Sequence, residues 1–395
     1  MPEPSPFDVV MIGPFPSDPE RIEGGVQASL YGLGVSLRGD PQVASLEVVA
    51  TPMRRGHGIT RARVAGIDVV VLDTPGRILA SAVLRLPRIL AGIAARAHPL
   101  VHIHGTGIVQ TAVLLAARLR RIPVVWTMHG ITEKEMRAAR RVTGGLAAWG
   151  RFALYAGCER LQLRLSPEII VDTGYVAREV GRRAGTPPRP IPQGIFPEEM
   201  AAAVNADRSA PVVIALGVIH PRKGHALTLR AFAEVARSRP DARLWIVGAL
   251  AEASHLDELR ALVADLGLGA RVEIRVNEPR DRVLAALREA RVFALHSQEE
   301  SQGIALCEAM AAGLPIVATR VGGIPDVIGA SGAGLLVEYG DTAAMAAHIG
   351  RLLDDDALHT RLAAAALARA EDFSWRTIAT RVLDVYRAAR ARLGA

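Results

Sequence analysis

Aromatic side chains are scarce: Phe, Trp and Tyr make up 4% of the 395 residues. The cores must therefore be built from Ala, Val, Leu and Ile. Half of all residues are hydrophobic, a composition that suits buried parallel strands covered by helices. Cysteine is nearly absent. Cys158 and Cys307 stand far apart, which excludes a disulfide framework and makes a reducing cytosol the expected setting. No stretch approaches the roughly 20 uninterrupted apolar residues that span a bilayer. The first residues, MPEPSPFDVVMIGPFP, lack a basic segment leading into a long apolar run, so no signal peptide is read there. Zinc-finger spacing and the aromatic motifs of RNA-binding modules are missing, so nucleic acid is not an expected partner. No metal-ligand cluster is read either. The acidic run Asp354-Asp355-Asp356 follows a predicted helix and reads as a solvated turn.

A chain of 395 residues is too long for one ordinary core, and about two domains are expected. The formal net charge is +7 and the sequence pI is near 10.0. Most of the cations are arginines dispersed through Ala-rich segments. Two readings stand for them: a coding bias, or a basic surface facing a membrane or phosphorylated ligands.

Short β-branched runs alternate with longer amphipathic ones. Phe7–Ile12, Leu46–Thr51, Ile67–Leu72, Val101–His104 and Val124–Met128 read as strands. Helices are expected over Val26–Arg38, Arg77–Ala97, Thr111–Arg120 and Glu133–Arg164. Five prolines between Thr186 and Asp207 mark a linker. The rhythm then restarts, with strands at Val212–Leu216, Arg243–Val247, Val272–Val276, Val292–Leu295, Ile316–Ala318 and Gly334–Val337. Helices are expected between them and in the tail from Ala357. Strands alternating with helices imply parallel sheets.

The chemistry concentrates in Ser297–Ile328, SQEESQGIALCEAMAAGLPIVATRVGGIPDVI. Glu300 falls in a loop after a strand, Gly303 opens a helix, and Glu308 lies in that helix's early turns. Free N–H groups at such a helix start favour a diphosphate. One carboxylate can accept from a ribose diol and the other from sugar hydroxyls. Alone, the two glutamates would read equally well as carboxylates placed favourably on a helix dipole. Taken with Gly313, Pro315, Gly322, Gly323 and Pro325, the stretch resembles the E-x7-E signature of retaining group 1 glycosyltransferases (family 4), which have the GT-B fold. A second match is Leu216–Gly224, LGVIHPRKG, with Gly217, Lys223 and Gly224 in place. Val218 stands where the family has arginine, and Arg222 is the candidate substitute.

The resemblance implies an α/β, GT-B architecture: two Rossmann-like domains with parallel sheets facing across a cleft. The expected domains are 1–198, acceptor-binding, and 208–375, donor-binding, with helix 376–395 crossing back to the first. The reaction implied is sugar transfer from a nucleotide-diphosphate donor, UDP before GDP, to an acceptor hydroxyl with retention. A saccharide or lipid-linked acceptor in envelope synthesis is expected. Lys223 and Arg222 would neutralise the diphosphate. Glu308 would hold the ribose. Glu300 and the backbone of Ser301, Gln302, Gly303, Ile304, Ala305 and Leu306 would hold sugar and phosphates. By the same resemblance, in the N-terminal half Gly24 and Gly25 match the family's Gly-Gly and His129 would face the donor sugar. His104 and Gln27 are candidates on the acceptor or sugar side. His102 and His104 are expected on opposite faces of their strand. No cofactor or metal is implied. The basic helices Arg77–Ala97 and Glu133–Arg164 suggest peripheral contact of a cytoplasmic protein with an anionic membrane, or else ordinary packing on the sheet. The rival functions are a catalytically weakened nucleotide-sugar-binding module, a phosphorylase or epimerase on the same fold, and a dinucleotide-binding oxidoreductase. The last is disfavoured because Gly13 is followed by Pro14-Phe15-Pro16 rather than G-x-G-x-x-G.

Overall fold

The computed structural model describes residues 5–18, 25–50, 58–73, 78–131, 134, 146–204 and 207–394. The chain divides into two compact units, residues 1–194 with 375–395, and residues 195–374.

The first unit runs β1 (Phe7–Gly13), α1 (Gly25–Leu37), β2 (Val43–Ala50), β3 (Gly58–Val64), β4 (Ile67–Asp73), α2 (Ile78–Ala94), β5 (Pro99–His104), α3 (Ile108–Leu119), β6 (Val124–Met128), α4 (Leu146–Leu165), β7 (Glu168–Val171), α5 (Gly174–Gly181) and β8 (Arg189–Pro190). Its eight-stranded sheet has the order β3-β4-β2-β1-β5-β6-β7-β8. Every pairing is parallel except β3 with β4. That hairpin turns on Ala65 and Gly66, both at positive φ (49° and 77°), the backbone a tight hairpin turn demands. The interior strand β6, VVWTM, is buried at every position, as a strand covered on both faces must be.

The second unit runs α6 (Ala201–Val204), β9 (Val212–Leu216), α7 (His225–Ser238), β10 (Arg243–Gly248), α8 (Ala253–Asp265), β11 (Val272–Val276), α9 (Arg280–Glu289), β12 (Val292–Leu295), α10 (Ile304–Ala311), β13 (Ile316–Thr319), α11 (Ile324–Ile328), β14 (Gly334–Val337), α12 (Thr342–Asp354) and α13 (Asp356–Ala370). Its sheet is parallel throughout, in the order β11-β10-β9-β12-β13-β14. Apolar layers cover both of its faces. The acidic run at the end of α12 is used structurally. Asp355 accepts the Leu358 N–H at 2.8 Å to cap α13, while Asp354 pairs with Arg239 and Asp356 with Arg291.

The last helix, α14 (Trp375–Gly394), returns to the first unit. Trp375 seats it. A Cβ on Gly32 of α1 would stand 2.0 Å from the Trp375 Nε1, and one on Gly194 would stand 2.5 Å from the ring. Among the described residues no helix is long and apolar enough to cross a membrane.

Candidate active site

In the C-terminal unit the strand order reverses between β9 and β12. Loops leaving the carboxyl ends of two such strands diverge and leave a crevice, where ligands bind in open α/β sheets. The loop after β9 carries Arg222 and Lys223, and the loop after β12 carries Glu300.

The two loops are knitted together. His220 accepts the Arg222 N–H at 3.1 Å and starts a single helical turn, Pro221–Lys223. Gly224 ends that turn at φ 66°, where a Cβ would lie 1.9 Å from the carbonyl oxygen of His296. The carbonyl of Arg222 accepts from the N–H of Gln298 at 2.9 Å. Lys223 Nζ then reaches Glu300 Oε1 at 2.5 Å, and Ser297 Oγ donates to the same oxygen at 3.0 Å. The pair is mostly withdrawn from solvent, its side chains 17% and 9% exposed. Lys223 is one of only two lysines in the chain, beside Lys134. Its stem covers Gly217, where a Cβ would meet Lys223 Cδ at 3.7 Å.

A third loop, after β13, fixes the backbone of Glu300. Gly323 donates its N–H to the Glu300 carbonyl at 2.8 Å. Gly322, at φ 53°, passes so near that a Cβ would stand 1.9 Å from that oxygen. Gly303, at φ 84°, is the N-cap of α10 and contributes no side-chain cap. The first-turn N–H groups of a helix have no partner inside it, so this terminus can face an anion.

Ser301, Ile304 and Ala305 are half-buried and Leu306 fully buried. Gln302 is buried, its amide 3.5 Å from Cys307 Sγ, so its side chain serves loop packing. Burial pushes the Cys307 thiol up to about 12, which leaves it inert. Glu308 lies in the second turn of α10, where Arg280 Nη1 holds its Oε1 at 2.6 Å; Arg280 Nη2 holds Glu199 at 2.8 Å. Sequence reasoning missed Arg280. A cation at the start of α9 carries no signal that it will meet a carboxylate 28 residues later. Val218 is 42% exposed. Arg222 is half-buried, and its Nε has no hydrogen-bond partner.

The N-terminal unit gathers its own candidates where β5, β6 and β7 end. His129 follows β6 with its side chain 2% exposed, Nε2 3.0 Å from His104 Nδ1 and Nδ1 3.9 Å from Asp172 Oδ1. His102 lies beneath, bonded to Tyr386 Oη at 2.8 Å and Thr127 Oγ1 at 2.7 Å. The expectation that His102 and His104 point to opposite faces is overturned. Their rings lie 4.1 Å apart on one face, because residues two apart on a strand share a face. Burial lowers His129 to about 4 and His102 to about 3, with the His129 charge adding to the latter. Burial, with His102 and His129 beside it, also holds His104 well below its usual value. The trio is therefore neutral near pH 7. Asp172 and Tyr386 were not foreseen, since neither lies in a recognisable motif. Gln27 is buried in α1 and Gly25 opens that helix; Gly24 lies outside the described residues.

Comparison with known proteins reports the same division of the chain. Residues 24–199 match the family described as Glycosyltransferase Family 4, and residues 197–369 match Glycosyl transferases group 1. A D-inositol 3-phosphate glycosyltransferase from Acidothermus cellulolyticus is 33% identical over 287 residues, 68% of this chain and 63% of that protein. The chain thus spans less than two thirds of that relative's length. Among solved structures, sucrose-phosphate synthase from Thermosynechococcus elongatus superposes with a TM-score of 0.76 at 21% identity, covering 98% of this chain and 100% of that one. Anabaena HepE in complex with UDP and glucose gives 0.70 at 18% identity, covering 96% and 100%. At these identities the two structures establish the GT-B fold.

Proposed function

Because the chain belongs to the group 1 glycosyltransferases, we propose that it moves a sugar from a nucleoside-diphosphate donor, UDP before GDP, to an acceptor hydroxyl with retention at the anomeric carbon. The Lys223–Glu300 pair at the β9/β12 switch point carries this reading. It puts one cation and one carboxylate at the crevice that also receives the start of α10.

In this reading Lys223, Arg222 and the first turn of α10 take the diphosphate. As the bond to the sugar breaks, negative charge grows on the leaving phosphate, and preorganised cations and N–H groups stabilise that charge more than the ground state. The unpartnered Nε of Arg222 leaves it able to supply the charge that Val218 cannot. Glu308 accepts the ribose diol while Arg280 holds its other edge. Glu300 orients the sugar, with the backbone of Ser301 to Leu306 around it. His129 is the sugar-side candidate of the N-terminal unit, its ring nitrogens turned towards His104 and Asp172. No side chain in the C-terminal cluster stands as a separate nucleophile. The leaving phosphate takes the acceptor proton on the face it departs from, which preserves the configuration. No resident metal or cofactor is assigned, because Lys223 and Arg222 supply the positive charge. The acceptor is a saccharide, a polyol phosphate or a lipid-linked sugar of the cell envelope, met at the cytoplasmic side.

The test is a panel of UDP- and GDP-sugars offered with D-inositol 3-phosphate, simple saccharides and membrane lipid extract. Donor consumption that needs an acceptor, with a product of unchanged anomeric configuration, is expected. Consumption driven by inorganic phosphate, epimerised donor, or binding without turnover would each overturn the reading in favour of a phosphorylase, an epimerase or a binding module.

A further inference from the structure

Three helices of the N-terminal unit lie side by side, α3 against both α2 and α4. Together they carry six arginines and a single carboxylate, Glu159, which is fully buried. Their solvent side therefore presents no carboxylate. A helix layer made only to cover a sheet mixes charges of both signs on its outer face, since the solvent is indifferent to sign.

The exposed sides of α3 and α4 are unusually apolar. Leu115 and Leu119 of α3 are 38% and 86% exposed, and Trp149, Leu154 and Leu161 of α4 are 52%, 45% and 38% exposed. These five are a majority of the nine large apolar side chains exposed among the described residues, so the exposure is concentrated rather than scattered. Exposed Arg118, Arg120 and Arg121 surround Leu119, and exposed Arg160 and Arg164 flank Leu161.

We propose that the face formed by α2, α3 and α4 docks on an anionic phospholipid surface. Leu119, Trp149, Leu154 and Leu161 enter the headgroup layer, and the arginines reach the lipid phosphates. The chemistry favours a bilayer over a protein partner. Among the described residues of these three helices, the exposed charges all attract phosphate. Arginine stems lie along apolar surface while their heads stay in water, and tryptophan is at home at the boundary. The proposal stands on this face alone and does not depend on the donor chemistry.

The full chain is sedimented with vesicles of phosphatidylcholine and with vesicles of phosphatidylcholine and phosphatidylglycerol in equal parts. Binding to the mixed vesicles alone, weakened by added salt, is expected. The double variant Leu119→Glu/Trp149→Glu should bind the mixed vesicles at least about tenfold more weakly, since it removes apolar anchors and adds repulsion. Its melting temperature and donor turnover should stay those of the parent, as neither residue belongs to the active site. Equal binding to both vesicle types, or undiminished binding by the variant, overturns the proposal. So does a parent dimer that the variant dissolves, which would make this face a contact between copies of the chain. A parent that binds vesicles but consumes no donor would instead count against the proposed function.

Discussion

Replacing Gly322 by Ala is expected to disable the site from behind. A Cβ at this position would stand 1.9 Å from the Glu300 carbonyl oxygen, where real contacts stay beyond 3.0 Å, so one of the two backbones must move by about 1 Å. Neither can do so freely, because Gly323 N–H is bonded to that same oxygen at 2.8 Å. Overpacking of this kind costs about 1–3 kcal/mol. Holding alanine at φ 53° adds about 1–2 kcal/mol. The sum, about 2–5 kcal/mol, falls on a unit spanning Ile195–Ser374, for which each kcal/mol is worth roughly 2–4 °C, so melting should drop by about 5–15 °C. Glu300 shifts with the backbone, and a displacement near 1 Å costs on the order of a hundredfold in turnover. Differential scanning calorimetry and a donor-consumption assay read the two effects. A variant with the parent's melting temperature and turnover would refute the packing argument and the place given to Glu300.

Arg280→Ala frees Glu308 from its cation; donor KM should rise several-fold with kcat little changed, and steady-state kinetics with a UDP-sugar checks this. Gly32→Ala drives a methyl into Trp375, so the docking of α14 should loosen, with about 1–3 kcal/mol lost in denaturant titration. His129 has its folded value depressed to about 4 from 6.5, so the unfolded chain binds the extra proton. Its contribution is complete above pH 6.5 and is lost as the pH falls towards 4, about 3 kcal/mol in all. The stability gap between the parent and His129→Gln should therefore change between pH 6.5 and 4 and hold steady above pH 7.

The sequence was most legible where local pattern and tertiary role agree. Val124–Met128, Val212–Leu216, Val272–Val276, Val292–Leu295 and Gly334–Val337 are strands with the bounds their apolar runs suggest. Val124–Met128, Val212–Leu216 and Val292–Leu295 are interior strands buried at every position, so hydrophobic burial specifies them, whereas Val272–Val276 and Gly334–Val337 are partly buried edge strands marked by their β-branched and apolar residues. β3 was missed, because its exposed arginines break the apolar run and its partner is supplied by the hairpin. β7 and β8 were missed as too short to show a period. The Glu133–Arg164 helix appears as α4, Leu146–Leu165; residues 132, 133 and 135–145 lie outside the described ones. In the candidate site, Lys223, Glu300 and Glu308 could be singled out from sequence because each sits in a local motif. Arg280, Asp172 and Tyr386 were not, because their partners arrive only through the fold: Tyr386 meets His102 across 284 residues.

The central claim is that Lys223 at the β9/β12 switch point holds a nucleoside diphosphate. Calorimetric titration of UDP into the parent and into Lys223→Ala tests it most directly. Binding by the parent, weakened at least about tenfold in the variant while the fold persists, is the predicted result, since a charge-assisted hydrogen bond is worth about 1.5–3 kcal/mol. Equal affinity in the two proteins would contradict the claim.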